Sequence, residues 1–385
     1  MPPDNTGSQL NAIMAEVAKL NNEGALDDAD ALLDQEDRRM REAHKAERDR
    51  QDQQATALLA QRLDQDRLRN RPDLAAERII NNLRQTPQSG GLFVAIDATA
   101  EEWNKRGDAT GDIFALYTAV ELAKANYERV KNKSALAASA LYKLGWCHML
   151  LAERSTNDRH LVVALNAFMA ALKKTSATNA PQSWTNYQSG LGNSLMWKGQ
   201  RERDIHLLER SIKCHRAALK IDIKQKFDSQ KDRWNNLGVA LQKLGEFTRD
   251  PIPLVESVTA LETALASKKN EANSRDWERS QSNLALAQRW LGDVTDDLAV
   301  LARARQGYAA CEALDFRDEA PFDWARLQWN IADLTLARHR LASDPALLTE
   351  ARDYVKAARD FFVDGSEHQT QRCDELLEQI NQAEA

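Results

Sequence analysis

Cysteine is scarce in this chain and never grouped. Cys147, Cys214, Cys311 and Cys373 are the only four, each more than 60 residues from the next. That spacing excludes a disulfide framework or a thiolate zinc site and reads as reduced, buried thiol. Aromatic residues make up 6%, and Pro and Gly number only 9 and 15 among 385 residues, a composition poor in turn formers and suited to helices. Excess positive charge is missing as well. Lys and Arg total 52 against 58 Asp and Glu, a net charge of −6, so no overall basic field recruits nucleic acid or an anionic membrane, and neither is expected as a partner. No stretch approaches the roughly 18 apolar residues that span a bilayer. The opening segment MPPDNTG has neither a basic nor an apolar leader region, and the cytoplasm is the expected location.

Patterns that carry chemistry are also lacking. The nearest approach to a phosphate-binding glycine loop, Gly190-Leu191-Gly192, falls inside a predicted helix. The seven histidines are scattered and form no His-Glu-x-x-His motif. Cys147-His148 and Cys214-His215 are adjacent in sequence, but consecutive helical residues point about 100° apart and serve one metal ion poorly. Carboxylates are abundant without being paired across any evident cleft, as on a solvated helix face. No catalytic residue, metal site or cofactor is expected, and the chain is expected not to be an enzyme.

What is present is a repeat. Leu144-Gly145, Leu191-Gly192, Leu237-Gly238, Leu284-Ala285 and Ile331-Ala332 follow one another at 46 or 47 residues, and one further step back reaches Ala98. Six copies at such a period mark a solenoid of stacked units, each long enough for two helices. The small residue suits a close crossing of the two helices in a unit. In the copy around Gly192, Pro181 opens the first helix, Gly199 is expected to close it, and Asp204 caps the second, whose apolar stripe is Ile205, Leu208, Ile212 and Leu219. The capping acid recurs as Asp158, Asp204, Asp250, Asp297 and Asp344, and the closing glycine as Gly199, Gly245 and Gly292.

Outside the repeats the pattern loosens. Residues 1–8 are expected to be disordered. Residues 9–90 read as two helix pairs, the first with Gly24 at its turn and Ala29 in its second helix, the second over 53–84 and broken at Arg71-Pro72-Asp73. The charged segment 36–52 reads as a solvated helix linking them, without the apolar seam of a coiled coil. A hinge is expected at 86–91, the six-repeat array spans 91–365, and 366–385 offers a terminal capping helix with a polar outer face.

Residues 234–246, WNNLGVALQKLGE, followed by the Ala-rich helix LVESVTALETAL at 254–265, resemble the tetratricopeptide repeat (TPR) family. Trp234, Leu237, Gly238, Ala240, Gly245, Ala260 and Ala264 fill its pattern, although these units are longer than the family's usual 34 residues. The resemblance implies an all-α fold: an α-solenoid, a right-handed superhelix of antiparallel helix pairs, about eight pairs with a C-terminal capping helix.

It also implies that the first helix of each unit lines a concave groove. The family's ligand-facing slots then select Tyr142, Trp146, Asn186, Asn193, Trp197, Asn235, Lys243, Arg279, Arg289, Trp290, Arg326 and Trp329. Aromatic bodies among Arg, Lys and Asn suit a peptide or a helix, although a longer helix can equally turn such a Trp into the core. Trp184, Trp277 and Trp324, at the start of the first helices, read as packing between repeats. The implied function is a scaffold that binds a peptide or helical segment of another protein. The alternative is a regulatory or sensor subunit that controls a separately encoded effector enzyme.

Overall fold

A computed structural model of the chain describes residues 6–86, 89–155, 157–267, 274–363 and 366–384. Sixteen helices and no strands stand among them. They fall into two compact units, Met1–Arg69 and Asn70–Ala385.

The first unit contains α1 (Thr6–Asn22) and α2 (Leu26–Leu68). Gly24 turns the chain between them at φ +79°, a conformation costly for any residue with a Cβ. Val17 and Ala29 are buried where the two helices meet. Thr6, Gly7 and Ser8, expected to be disordered with residues 1–5, lie in α1, while 1–5 fall outside the described residues. The charged segment is not a separate linker. α2 runs unbroken through it, for the stretch holds no Gly or Pro, and ion pairs such as Arg39–Glu36 (2.7 Å) and Arg41–Asp37 (2.6 Å) span single turns. The pair expected over 53–84 is therefore the end of α2 followed by a separate helix, and seven helix pairs stand where about eight were expected.

The second unit opens with α3 (Pro72–Gln85). Six helix pairs follow: α4 (Gly91–Thr110) with α5 (Ile113–Val130), α6 (Ser134–Arg154) with α7 (Arg159–Lys173), and α8 (Pro181–Glu202) with α9 (Ile205–Gln225). Then come α10 (Gln230–Thr248) with α11 (Pro251–Ala266), α12 (Arg275–Thr295) with α13 (Leu298–Glu312), and α14 (Pro321–Ala342) with α15 (Ala346–Phe362). α16 (Glu367–Glu384) packs on α15 and ends the array, burying Cys373, Leu376 and Ile380. The hinge expected at 86–91 includes residues 87–88, which are not described.

The repeated small residue is a packing device. A Cβ on Gly145 would lie 2.7 Å from the Phe168 ring, one on Gly192 2.7 Å from His215, and one on Gly238 2.5 Å from Leu261, each across the crossing of the two helices of a unit. Phe168 also fills the space beside Gly190 in the next unit. In the α12–α13 unit the glycine changes sides, with Gly307 facing Ala285. Ser211 and Ser257 add a recurring bond, their hydroxyls donating to the carbonyls of Gly192 and Gly238 at 2.7 and 2.6 Å.

Two expectations about turns are corrected. Gly199, Gly245 and Gly292 do not close their helices, which continue to Glu202, Thr248 and Thr295. They lie where a Cβ would meet Leu207, Leu254 and Leu301 of the partner helix, and the left-handed closing residues are Arg203, Arg249 and Asp296. Of the capping acids, Asp204, Asp250 and Asp297 accept hydrogen bonds from the first helical N–H groups, as do Asp344 and the earlier Asp112. At α7 the role passes to Asn157, whose Oδ1 accepts from the Arg159 N–H, while Asp158 pairs with Arg201. In the apolar stripe of α9, Leu208, Ile212 and Leu219 are buried, but Ile205 is 40% exposed at the first turn.

Against the expectation that no stretch approaches a membrane span, one helix among the described residues, α6, is by length and composition apolar enough to cross a membrane. In the folded unit it packs against α5, α7 and α8, and its Lys143 pairs with Glu101.

Candidate functional site

The first helices of the units form the inner surface. α4, α6, α8, α10, α12 and α14 touch in succession, and α14 returns to α4, so the inner layer closes into a ring. The closure is largely polar. Arg326 of α14 pairs with Glu153 of α6 at 3.1 Å, and Arg279 of α12 lies 3.6 Å from Asp108 of α4. Arg154 reaches the same Asp108 at 2.9 Å while lying over the Phe322 ring. α16 touches α6 and α14 as well. There the Trp329 indole N–H donates to the Arg372 carbonyl at 3.3 Å and the Arg372 guanidinium lies 3.9 Å from the ring centroid.

Where the ring closes, a cavity of about 650 Å³ opens among α4, α6, α12 and the start of α14. Tyr142, Trp146 and Leu150 make its apolar wall, and Lys143, Asp108, Arg279 and Asp323 its charged one. Asn104 sits at its edge, 5% exposed, with Nδ2 donating to Cys147 Sγ at 3.0 Å and Oδ1 lacking a protein partner among the described residues. A buried amide oxygen left so costs free energy.

The charges in this wall are held by their neighbours. Burial works against the Asp323 carboxylate, but Arg326, Arg279 and Arg275 outweigh it and keep the group ionised below its ordinary range. Burial likewise opposes the Lys143 charge, and Glu101 and Asp97 more than offset it, raising its pKa. Burial chiefly raises Glu278, with the Asp323 charge adding to it against the neighbouring arginines. The Tyr142 phenol is also raised chiefly by burial, against the lowering effect of its hydrogen bond with Trp146.

Of the twelve residues that the sequence selects, Tyr142, Trp146 and Arg279 come together in this cavity. Tyr142 and Trp146 meet edge to face with centroids 6.3 Å apart, and both pack on Phe168. The other nine lie along the inner ring with partners of their own or packed between helices. Arg289 is 2% exposed, clamped on Asp333 at 2.8 Å and stacked over Trp290 at 3.9 Å. Arg326 is taken up by Glu153 and Asp323, and Lys243 by Glu246 at 2.9 Å. Asn186 accepts from Arg233, and Asn235 from Asn283 at 3.1 Å. Trp197 packs against the clusters around Leu208 and Phe168, and Trp329 is held by Arg372 as above. Asn193 is half-buried on α8.

Sequence reasoning missed Asn104, Asp108, Lys143 and Asp323. Asn104 and Asp108 lie outside the ligand-facing slots counted from Ala98, and their place in a site follows from ring closure, which no local spacing announces.

No protein-family model and no curated protein matches the sequence. Solved structures are similar in fold at low identity. A Podosopora anserina protein of kinesin light chain type, with nearly identical TPR-like repeats, is 16% identical over 57% of this chain and 95% of its own, with a TM-score of 0.41. A Rap protein crystallised with competence and sporulation factor is 14% identical over 98% and 99%, at 0.46. The apo form of RapI is 11% identical over 76% and 97%, at 0.42. With its six stacked pairs and small-residue crossings, Asn70–Ala385 is an all-α solenoid of long helix pairs.

Proposed function

We propose that the chain is a non-enzymatic scaffold that takes up a peptide or helical segment of a partner protein on the inner face of its solenoid. The cavity bounded by Tyr142, Trp146 and Arg279, with the unpartnered Asn104 Oδ1 at its edge, carries this reading. The aromatic wall offers apolar area to a side chain, and the charged wall fixes its register.

The regulatory reading draws on a separate observation: Asp108 and Arg279 both border the cavity and bridge α4 to α12, and Asp323 beside them engages Arg279 and Arg326. A segment that competes for these charges shifts the closure, and a partner enzyme docked on the solenoid would sense it.

Co-purification from the native host tests the reading. The variant Trp146→Ala with Arg279→Glu is expected to lose the proteins that the unaltered chain retains while keeping its helical circular dichroism. The same set of retained proteins in both would sink it.

A further inference from the structure

The outer face carries a second surface of different chemistry. α9 turns one arc to solvent, and along it stand Arg210, Lys213, Arg216, Lys220 and Lys224, all exposed, at the three- and four-residue steps that align side chains on one face. Among the described residues only Arg216 of these has an ion-pair partner, Glu256 of α11 at 2.5 Å. In a chain of net charge −6 this is a local concentration of positive charge.

Beside the basic row runs a groove between α9 and α11, floored by α10. Two hollows of about 320 and about 380 Å³ lie end to end, both bordered by Arg216 and Glu256. Trp234, Leu237, Leu241 and Leu244 line them from below. On the rims Ile252 is 74% exposed and Ile223 47%. The groove follows α9 from Glu209 to Ile223, about 20 Å at 1.5 Å per residue, the length of about four helical turns.

Its two walls differ. The α9 wall is basic along Lys213, Arg216 and Lys220, whereas the carboxylates of the groove are Glu256 on the α11 wall, which has no basic residue, and Glu209 at the groove's end. A nucleic acid backbone or an anionic lipid surface brings negative charge to both walls and meets those carboxylates. An amphipathic helix with acids along one flank avoids them. We infer that the α9–α11 groove docks an acidic amphipathic helix of a partner protein, its apolar ridge over Leu241 and Trp234 and its acidic flank along Lys213, Lys220 and Lys224. This surface is independent of the inner cavity.

Fluorescence anisotropy on the full chain tests it. The probe is a labelled, helix-stabilised peptide of about 18 residues with a leucine ridge and glutamates along one flank. Controls are the same peptide with lysines for glutamates, a single-stranded RNA oligomer and phosphatidylserine vesicles. The acidic peptide is expected to bind and to lose about tenfold or more in affinity with Lys213→Glu/Lys220→Glu/Lys224→Glu, and separately with Ile252→Asp. All four positions are exposed, so the melting curves stay unchanged. No binding of the acidic peptide, equal binding of the lysine peptide, tighter binding of RNA or vesicles, or full binding by both variants overturns the inference.

Discussion

Arg154 lies over the ring of Phe322, its guanidinium carbon 4.3 Å from the ring centroid and its side chain 1% exposed. The two residues belong to the second and sixth helix pairs of the solenoid, so the contact fastens its far end to its beginning. Arg154 also donates to the backbone carbonyl and the carboxylate of Asp108, both at 2.9 Å. The guanidinium is thus held on its face by an aromatic ring and on its edge by oxygen, the arrangement its flat shape favours.

Phe322→Ala is expected to destabilise the protein by about 3–5 kcal/mol through the buried ring it deletes and to open the inner layer between α14 and α4. Small-angle scattering checks the second part, with a larger radius of gyration expected at a temperature where the variant remains helical. An unchanged radius would show that the ion pairs of Arg326 and Arg279 suffice to hold the ring.

Gly145→Ala places a methyl group 2.7 Å from the Phe168 ring, and its expected cost is about 1–3 kcal/mol of overpacking. Phe168→Leu in the same chain makes room, so the double variant is expected to lose less than the two single losses added together. Urea denaturation of the four proteins reads the coupling, and simple additivity would argue against this crossing as the source of the cost.

Acidification acts on His215. The ring is fully buried beside Gly192, neither nitrogen has a protein partner among the described residues, and burial pushes its pKa down to about 3. Below the unfolded value of about 6.5 the unfolded chain binds a proton that the folded one refuses. The stability from the neutral ring is therefore present above that pH and lost as pH falls toward the folded value, about 2–3 kcal/mol by pH 4. Burial lowers His148 to about 4 and adds to the same slope. His215→Leu is expected to flatten the fall in melting temperature between pH 6.5 and 4, and an unchanged slope would place the titration elsewhere.

The helix pairs were legible because their causes are local. Leu-Gly recurs where two helices cross, and Asp and Pro recur where a helix begins, and each acts within its own unit. The end of α8 was misplaced by three residues because Gly199 has two possible uses. A glycine at a turn and a glycine under a neighbouring leucine look the same in sequence, and the structure gives Gly199 the second role, with Arg203 left-handed at the close. The charged stretch of α2 was read as a solvated helix linking two pairs, and it is helical with ion pairs one turn apart; what its composition did not show is that it runs unbroken into the segments on either side. At the inner face the family resemblance selected Tyr142, Trp146 and Arg279, which border one cavity, but gave no sign that Arg289 is clamped on Asp333. The meeting of Asp108 with Arg279 depends on small rotations summed over five helix pairs, which no single unit records.

The closed inner layer also bears on how such a chain can change over generations. An open array of repeats grows or shrinks by duplicating or losing a unit, since each touches only its neighbours. Here α14 must arrive beside α4 with Phe322 under Arg154. A seventh unit would carry Phe322 past its seat, and a fifth would leave it short. Changing the number of copies between these pairs therefore carries the cost of that contact, which a substitution within a unit elsewhere does not.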